Sequence, residues 1–578
     1  MNRKTRPKKP AAHGVQAGLA TSGRGEDYLL LLGLMAICAL LFLWDLGGRS
    51  LWETDEARYA EIAREMLLRG DWISPHLNFV KYFEKPPLTY WLVALSFKLF
   101  GISSFSARLT PAVFGTLTVA ALFFLGRRMW NARAGLFAGL CLATSLMFLA
   151  LSRVLLVDMV LCFGVTLALW GAWALRQGAA WGRYAFWGGC AVGLLTKGLL
   201  GPGLPIMVAV LYGALAGEWV WLKNLARLRG LAFFILLCMP WLLLISLANP
   251  EFPKYFFIDE NLGRLLTTQH QRYQPFYFYL LLLPAAFFPW VALTPWALAA
   301  SWPGRAWRSA ENRPWLFAAV WFLSLLIFLS LSRSKMVHYA LPMLPALALT
   351  LGQPLARLWA WGAREESPKG VRWGVACLGW LMLLAGLAVL ALPALIEDVD
   401  FAQAGSLLVF GPLALATLGL GIFLVRGWNW GLWASSLAAL LTLAGLAGLV
   451  TPRLDDYRSL ESLVAPIRKE LQPDDLLVCY ADYYHGAVFY GGRRVAVVRN
   501  WGELDFGRRH DPQATKWFIA DDAAFVRLLR SPDTRVLAVG ETQAFMKLKK
   551  NTQGTPGLKL FEWGRKGDKS LFSNRPRQ

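Results

Sequence analysis

Charge and cysteine are scarce in this sequence, and both shortages exclude classes of protein. Charged residues make up 17% of the 578 positions, against about 25% in a typical soluble domain. The seven cysteines are too few for a disulfide scaffold, and all except Cys479 lie in apolar runs, where they are most simply small core residues. Disorder and collagen are also excluded, because 56% of the residues are hydrophobic. Apolar runs near ~20 residues recur instead, which predicts a polytopic membrane protein.

Acidic residues are scarcer than basic ones, 37 against 59, which gives a net charge of +22. In a membrane protein, part of this excess belongs to cytoplasmic loops, where Lys and Arg collect. The remainder could attract anionic lipid. The basic residues are scattered rather than set in one stripe, so the sequence does not indicate nucleic-acid binding.

The apolar runs predict about thirteen membrane-spanning helices, each near the length that a bilayer requires. A basic N-terminal arm, residues 1–27, precedes the first run. No small-residue cleavage site follows that run, which favours an uncleaved helix over a signal peptide and places the N-terminus in the cytoplasm. The predicted helices cover residues 29–44, 105–126, 134–152, 159–175, 183–196, 200–217, 230–248, 276–299, 315–331, 340–359, 373–394, 405–425 and 430–450.

Charge alternates between the two sides of this predicted bundle. Basic clusters follow the even-numbered helices, whereas acidic residues collect on the opposite side, as the positive-inside rule requires. The sequence thus predicts a transmembrane domain over residues 28–450, with large outer loops at 48–104 and 249–275. An odd number of helices places residues 451–578 outside. There, short strand-like segments alternate with helical stretches, which predicts a small α/β domain.

The first polar segment on the outer side is residues 51–66, an amphipathic helix by its spacing. Thr54 or Asp55 can cap this helix, and Asp55, Arg58 and Ile62 fall on one stripe. Its apolar face predicts a helix that lies along the membrane surface. The simpler alternative is an amphipathic linker with a local Asp55–Arg58 pair.

Two further outer segments carry acids among apolar residues. Glu84 and Lys85 precede a Pro-Pro pair that fixes the backbone; the simpler reading is a turn with interfacial aromatics. Asp158 lies at a helix junction, where an acid is costly and therefore a functional candidate. The alternative for Asp158 is a cap of the fourth helix.

Two later outer loops carry basic groups. The loop at 249–275 is long for a membrane protein, and long ordered loops often act as lids. The loop at 331–342 holds Arg333, Lys335, His338 and Tyr339, which could bind an anion. The simpler alternative for His338 is a hydrogen-bonded histidine at the membrane interface with no role in binding. Lys and Arg are disfavoured on this side, so their presence calls for a local reason.

Acids and bases therefore converge on one outer face near the membrane. This pattern suits a lipid phosphate held by Lys and Arg. The neighbouring carboxylates could do acid/base chemistry or hold a substrate ammonium group.

A family resemblance is carried by five segments in chain order. They are Thr-Asp-Glu-Ala-Arg-Tyr at 54–59, Phe-Glu-Lys-Pro-Pro-Leu-Thr-Tyr-Trp at 83–91, Arg-Val-Leu-Leu-Val-Asp at 153–158, Thr-Lys-Gly at 196–198 and Lys-Met-Val-His-Tyr-Ala-Leu-Pro at 335–342. The sequence resembles the bacterial aminoarabinose transferases, polyprenyl-phosphate-sugar-dependent glycosyltransferases of the C-type membrane fold that are related to protein O-mannosyltransferases. The resemblance covers residues 28–450 and extends to the tail.

The resemblance implies a fold and a reaction. The fold is a bundle of about thirteen membrane helices with a periplasmic α/β domain. The reaction moves 4-amino-4-deoxy-L-arabinose from undecaprenyl phosphate to lipid A phosphates at the periplasmic face of a Gram-negative inner membrane. The added amine lowers the negative surface charge and gives resistance to polymyxin and cationic antimicrobial peptides.

The resemblance also implies site residues. Asp55 and Glu56 match the family's acidic pair, Glu84 and Lys85 its second motif, and Asp158 its acid at the third-to-fourth junction. The catalytic candidates are Asp55, Glu84 and Asp158. The substrate-binding candidates are Arg58, Lys85, Tyr82, Glu56, Arg264, Arg272, Lys335, His338 and Tyr339.

The chemistry constrains what these residues do. The leaving group is a polyprenyl phosphate, so it needs cations rather than a general acid: Lys85 first, then Arg58, then Arg264 or Arg272, with a hydrogen bond from Tyr339. A lipid A phosphate, with a second pKa near ~6, is largely ionised at neutral pH. Asp55 either deprotonates the residual monoanion or orients the acceptor; alternatively, one of the three carboxylates pairs with the donor's ammonium group.

Other functions and ligands stay open at this point. No cofactor is required, although the acidic cluster could hold a divalent metal ion with His270 or His338. The sugar or the acceptor could differ, as in a protein O-mannosyltransferase. A lipid transporter is the alternative of another class, but its ionisable residues would lie near the midplane of repeated halves. The expected partners are the donor lipid, lipid A and the bilayer, and the expected state is a monomer.

Overall fold

The computed structural model describes residues 24–262, 273–361, 370–374, 376–377, 380 and 455–577. The membrane part contains helices joined by short connections. They are α1 (Arg24–Leu43), α2 (Asp55–Arg69), α3 (Leu88–Phe100), α4 (Ser104–Met129), α5 (Ala132–Ala143), α6 (Leu146–Leu151), α7 (Val157–Arg176), α8 (Gly182–Lys197), α9 (Leu200–Ala216), α10 (Trp219–Leu225), α11 (Leu228–Ala248), α12 (Phe278–Ala286), α13 (Thr294–Ser301), α14 (Arg313–Leu331) and α15 (Leu344–Trp361). A small hairpin, β1 (His76–Leu77) and β2 (Val80–Lys81), joins α2 to α3.

Five helices in the described ranges are long and apolar enough to cross a membrane, or six if one bent pair counts as a single span. The five include α1, α4, α7 and α11, close to the predicted bounds. α3 was not predicted, because its apolar run is shorter than a membrane span and lies within the predicted outer loop. The last three predicted helices, between residues 373 and 450, lie almost wholly outside the described residues, so the total of about thirteen stays a prediction.

Two predicted spans are broken in the structure. The run at 134–152 divides into α5 and α6, because the Thr144 and Ser145 hydroxyls donate to the carbonyls of Leu140 and Leu142 at 2.6 and 2.9 Å and so compete with the helix ladder. The run at 276–299 bends by 105° between α12 and the helical segment Trp290–Ser301. Pro284 and Pro289 lie there, and proline cannot donate to the ladder.

Glycine contacts bring α7 and α8 together. A Cβ atom on Gly171 would lie 2.5 Å from the carbonyl oxygen of Gly182, and one on Gly189 would lie 2.4 Å from that of Gly164. Only residues without a side chain allow two helix backbones this close. The short connection between the helices makes them antiparallel, so the first turn of α7 lies beside the last turn of α8.

The C-terminal part is an α/β domain, as predicted. Its six-stranded sheet has the order β5-β4-β3-β6-β8-β7, parallel from β5 to β6 and antiparallel at the β8-β7 end. The strands are β3 (Leu476–Tyr480), β4 (Ala496–Val498), β5 (Phe518–Ile519), β6 (Val536–Glu541), β7 (Phe561–Lys566) and β8 (Lys569–Ser573). The helices are α16 (Glu461–Val464), α17 (His485–Gly491), α18 (Asp505–Arg508), α19 (Ala514–Trp517), α20 (Asp522–Leu529) and α21 (Thr542–Asn551).

The two parts share one apolar core, and α2 lies inside it. Residues of α2 and α3, such as Ile62 and Tyr90, pack in the same cluster as Val488 and Leu504 of the C-terminal domain. The apolar face of α2 therefore packs against protein rather than against the membrane, and the predicted orientation of the helix along the membrane surface stays a prediction. Protein covers most sides of α2, so that polar residues such as Glu61 are buried together with its apolar face.

Candidate functional site

A cavity of about 870 Å³ is lined by residues of the membrane part and of the C-terminal domain. Eight of the predicted site residues line it: Asp55, Arg58, Tyr82, Glu84, Lys85, Asp158, His338 and Tyr339. They come from four separate segments of the chain. The predicted convergence of these charged residues is thus present as a single cavity, and its placement on the outer side of the membrane stays a prediction.

Asp158 and Lys197 line the cavity as an ion pair. The α7–α8 contact places the Lys197 ammonium against the Asp158 carboxylate, and the Nε2 atom of His338 lies 3.6 Å from the other carboxylate oxygen. Lys197 also lies over the ring of Tyr339, 4.2 Å from its centroid. The cap of α7 is Leu156, so Asp158 is in the first turn and makes no cap. Its side chain is 2% exposed, and the Lys197 ammonium compensates its charge.

Asp55 lies at the start of α2 and also lines the cavity. Arg58, one turn later, donates to Asp55 and, at 2.6 Å, to Glu503 of the C-terminal domain. The hydroxyl of Tyr82 lies 3.4 Å from the same Glu503 oxygen. Arg58 is therefore held between two carboxylates, while the Asp55 side chain is still 35% exposed. This position favours Asp55 over Asp158 for direct contact with a substrate.

Behind Glu503 lies His485, at the start of α17. Its Nε2 atom contacts Glu503, and its Nδ1 atom lies 3.3 Å from Glu53. Burial by itself would lower the pKa of His485, but the Glu503 and Glu53 carboxylates outweigh it and raise the pKa to about 9. For Glu503, burial is outweighed by Arg58 and His485, which lower its pKa. His485 is therefore an imidazolium at neutral pH, and Glu503 is a carboxylate.

Glu56 does not line the cavity, in contrast to its predicted binding role. It is 2% exposed and accepts from Arg108 at 2.8 Å and from Arg49 at 2.7 Å. It also accepts from the backbone of Trp52 and Leu155. Burial opposes its charge, but Arg108 and Arg49 outweigh burial and lower the pKa of Glu56 to about 2. Glu56 joins the segment before α2 to α4 and to the segment before α7, so it supports the cavity wall.

We expect Glu56→Gln to lower the free energy of unfolding by about 3–5 kcal/mol at pH 7, because both arginines would lose their carboxylate. The folded-state pKa lies below the usual value, so this contribution is present above about pH 4.5 and is lost as the pH falls toward 2. Thermal unfolding of the wild type and the variant from pH 7 to pH 3 tests this. If the difference in stability between the wild type and Glu56→Gln stayed the same as the pH falls, the expectation would be contradicted.

Three other predicted residues do not form part of the described cavity. Lys335 is buried and donates to the backbone carbonyls of Gln274 and Ser332, which corrects its predicted role as a substrate ligand. Burial lowers the pKa of Lys335. Arg264 and Arg272 lie outside the described residues, as does His270.

Several residues that line the cavity were not among the predicted site residues. Lys197 belongs to the Thr-Lys-Gly segment, and its predicted position on the outer side, where cations are disfavoured, was a usable signal. The C-terminal domain contributes Glu503, Asp505, Phe506, Arg509 and His510, and the segment after α11 contributes Glu251, Lys254, Tyr255 and Asp259. Nothing in the local pattern of residues 502–510 marks them as part of a site.

Within the described residues, no group of three or more His, Cys, Asp and Glu side chains could hold a metal ion. The cavity acids described above are paired with cations of the chain itself: Asp158 with Lys197, and Asp55 with Arg58. These cations would repel a metal ion at the same carboxylates.

Two family models match the chain. The model of the dolichyl-phosphate-mannose-protein mannosyltransferases matches residues 28–256, and that of the aminoarabinose transferase C-terminal domain matches residues 463–566. An undecaprenyl phosphate-alpha-4-amino-4-deoxy-L-arabinose arabinosyl transferase of Pseudomonas aeruginosa is 35% identical over 427 residues, which cover 71% of this chain and 75% of the relative. The protein of the same name from Pectobacterium carotovorum is 33% identical over 442 residues, 75% of this chain and 72% of the relative.

Solved structures match almost the whole chain. The crystal structure of ArnT from Cupriavidus metallidurans bound to undecaprenyl phosphate aligns with a TM-score of 0.79 at 27% identity, covering 96% of this chain and 99% of that chain. The oligosaccharyltransferase of Archaeoglobus fulgidus in its apo form shares the fold alone, with a TM-score of 0.50 at 12% identity over 90% of this chain and 70% of that chain.

Proposed function

The chain belongs to the family of undecaprenyl phosphate-aminoarabinose arabinosyl transferases, and from this premise we propose that it moves 4-amino-4-deoxy-L-arabinose from undecaprenyl phosphate to the phosphate groups of lipid A. It is a membrane glycosyltransferase, and its fold is the C-type glycosyltransferase fold with a C-terminal α/β domain. The transporter alternative is set aside with this assignment. The proposal places the cavity at the periplasmic face of a Gram-negative inner membrane.

The observation that carries the proposal is that lysines and carboxylates line the same cavity. Lys85 and Lys197 line it together with the carboxylates of Asp55, Glu84 and Asp158. A polyprenyl phosphate leaving group carries negative charge, and cations on the cavity wall stabilise that charge as it grows. In this proposal, lysine side chains supply the positive charge that a metal ion would supply in other transferases.

In the proposed transfer, the acceptor oxygen displaces the undecaprenyl phosphate at C1 of the sugar in one step. An oxygen of the lipid A phosphate forms a bond to C1 of the aminosugar, and the bond between C1 and the undecaprenyl phosphate oxygen breaks. The leaving phosphate keeps the electron pair. A dianionic acceptor needs no base, whereas a monoanionic one loses its proton to a carboxylate, for which Asp55 is the best placed because it is exposed to the cavity.

The carboxylates have a second proposed task, since the donor carries an ammonium group. Asp158 is engaged by Lys197 and His338. Glu84 lines the cavity beside Lys85. In this proposal Glu84 contacts the sugar ammonium and Asp55 contacts the acceptor.

Mass spectrometry of lipid A tests the proposed function. A Gram-negative strain that makes the donor but lacks its own transferase would carry this protein, and an empty vector would be the control. We expect a gain of one or more aminopentose units on lipid A, together with resistance to polymyxin. Unmodified lipid A, with the protein present in the membrane, would overturn the proposal in favour of another sugar or acceptor. Peptide acceptors would then be assayed.

A further inference from the structure

Five residues of alternating charge connect the C-terminal domain with the cavity. They run Glu53, His485, Glu503, Arg58 and Asp55, and each contacts the next, with 3.3 Å between His485 and Glu53 and 2.6 Å between Glu503 and Arg58. Only Asp55, at the cavity end, is substantially exposed. We call this series the charge relay. It joins residues that lie more than four hundred positions apart in the chain.

The relay fixes the orientation of Arg58. One Arg58 nitrogen donates to Glu503 and the other donates to Asp55, so the planar guanidinium bridges two carboxylates. Glu503 is fixed in turn by the His485 ring, and His485 by Glu53. With both sides of Arg58 occupied by carboxylates, its charge is compensated within the protein. The predicted role of Arg58 as a ligand of the donor phosphate is therefore less favourable than a role in placing Asp55.

Other contacts also attach the C-terminal domain to the membrane part. The Leu51 backbone donates to the Tyr490 hydroxyl at 2.7 Å, and Asn78 exchanges two hydrogen bonds with the Val495 backbone at 3.0 and 2.9 Å. A shared apolar core surrounds these contacts. Buried charges are costly to desolvate, so a buried series of them that ends at the cavity calls for a role there.

We propose that the C-terminal domain completes the active site: Glu503 and His485 are positioning residues that act through Arg58 to hold the Asp55 carboxylate toward the acceptor. The inference rests on the proposed function and adds two residues to it. Positioning partners of this kind change activity by about 10–100-fold when removed. The effect belongs to turnover, because the relay orients the carboxylate and leaves Lys85 and Lys197 in place for the donor phosphate.

The test is a double-mutant cycle on purified full-length protein. Glu503→Gln and Arg58→Gln would be made singly and together, and kcat for transfer to lipid A would be measured beside the affinity for undecaprenyl phosphate. We expect each single variant to lower kcat about 10–100-fold and to change the affinity less than threefold. The double variant should have the kcat of the lower single variant, because both changes remove the same contact. His485→Gln should behave as Glu503→Gln does.

Asp475→Asn is the matched control. Asp475 forms a buried ion pair with Arg535 in the same domain and does not line the cavity. Its loss should lower thermal stability and leave kcat unchanged. Thermal unfolding of the same four proteins of the cycle gives a second readout, which uses no substrate: the effects of Glu503→Gln and Arg58→Gln on stability should be less than additive.

Three outcomes would overturn the relay. The first is a wild-type kcat in Glu503→Gln, and the second is multiplicative effects on kcat in the double variant. The third is a loss of undecaprenyl phosphate affinity that accounts for the whole defect. Wild-type protein that binds undecaprenyl phosphate but leaves lipid A unmodified would overturn the proposed function instead. In that case additive effects on thermal stability would overturn the relay as well.

Discussion

Asp55→Asn is expected to lower the rate of aminoarabinose transfer by about 10²-fold, because Asp55 orients the acceptor and accepts the proton of a monoanionic one. Asparagine has nearly the same shape and can still accept the hydrogen bond from Arg58. The change therefore removes the charge of the group and leaves the wall of the cavity intact. Mass spectrometry of lipid A shows the loss in cells, and turnover of purified protein gives its size.

Asp456→Asn is the control for this variant. Asp456 is an exposed carboxylate of the C-terminal domain, paired with Lys566 away from the cavity, and its replacement should leave transfer unchanged. The affinity for the aminosugar donor, measured beside turnover, separates the two roles considered for Asp55. Slower turnover with unchanged affinity for the aminosugar donor supports the contact with the acceptor. Weaker donor binding would instead assign Asp55 to the ammonium group, and wild-type turnover would remove it from the reaction.

Lys197→Met is expected to weaken undecaprenyl phosphate binding by about 30-fold or more. The change removes the proposed contact of Lys197 with the donor phosphate, and losing one partner of such a buried charge pair typically costs about 2–5 kcal/mol in binding. The same change should destabilise the fold, since the Asp158 carboxylate would remain buried with only His338 beside it. A single variant would confuse these two effects. Affinity and thermal unfolding must both be measured.

The double variant Lys197→Met, Asp158→Asn separates binding from folding. It removes both charges, so the destabilisation should be largely relieved. If Lys197 binds the donor phosphate, the affinity stays low in the double variant. Recovery of affinity together with stability would mean that Lys197 serves only to neutralise Asp158. Lys223→Met, in the last turn of α10, provides a control in which a lysine outside the cavity is lost.

The sequence by itself determined the class of protein and much of the site. Apolar runs and the asymmetry of Lys and Arg predict a membrane bundle, because a bilayer imposes length and composition directly on each segment. The strand-like segments of the tail predict the α/β domain for a similar reason, since burial of a strand is a local pattern. The segments around Asp55, Lys85 and Asp158 carried the family resemblance, and all three residues line the cavity.

The sequence pattern could not predict where a helix breaks within an apolar run. Hydropathy averages over a window, so a run at 276–299 looks continuous even though proline bends it by 105°. Glu56 shows the same limit for polar residues. It adjoins Asp55 in the chain, but its side chain turns away from the cavity to Arg108, fifty-two positions later. Neighbours on a helix point in different directions.

Only the tertiary structure decided which charges meet. Arg58 and Glu503 are separated by 445 positions, and Asp158 and Lys197 by 39. No periodicity relates such residues, because their contact depends on how whole elements pack: glycines set the distance between α7 and α8, and the shared core places α17 and residues 502–504 against α2. The sequence supplied the charged groups of the site, and packing assigned each group its partner.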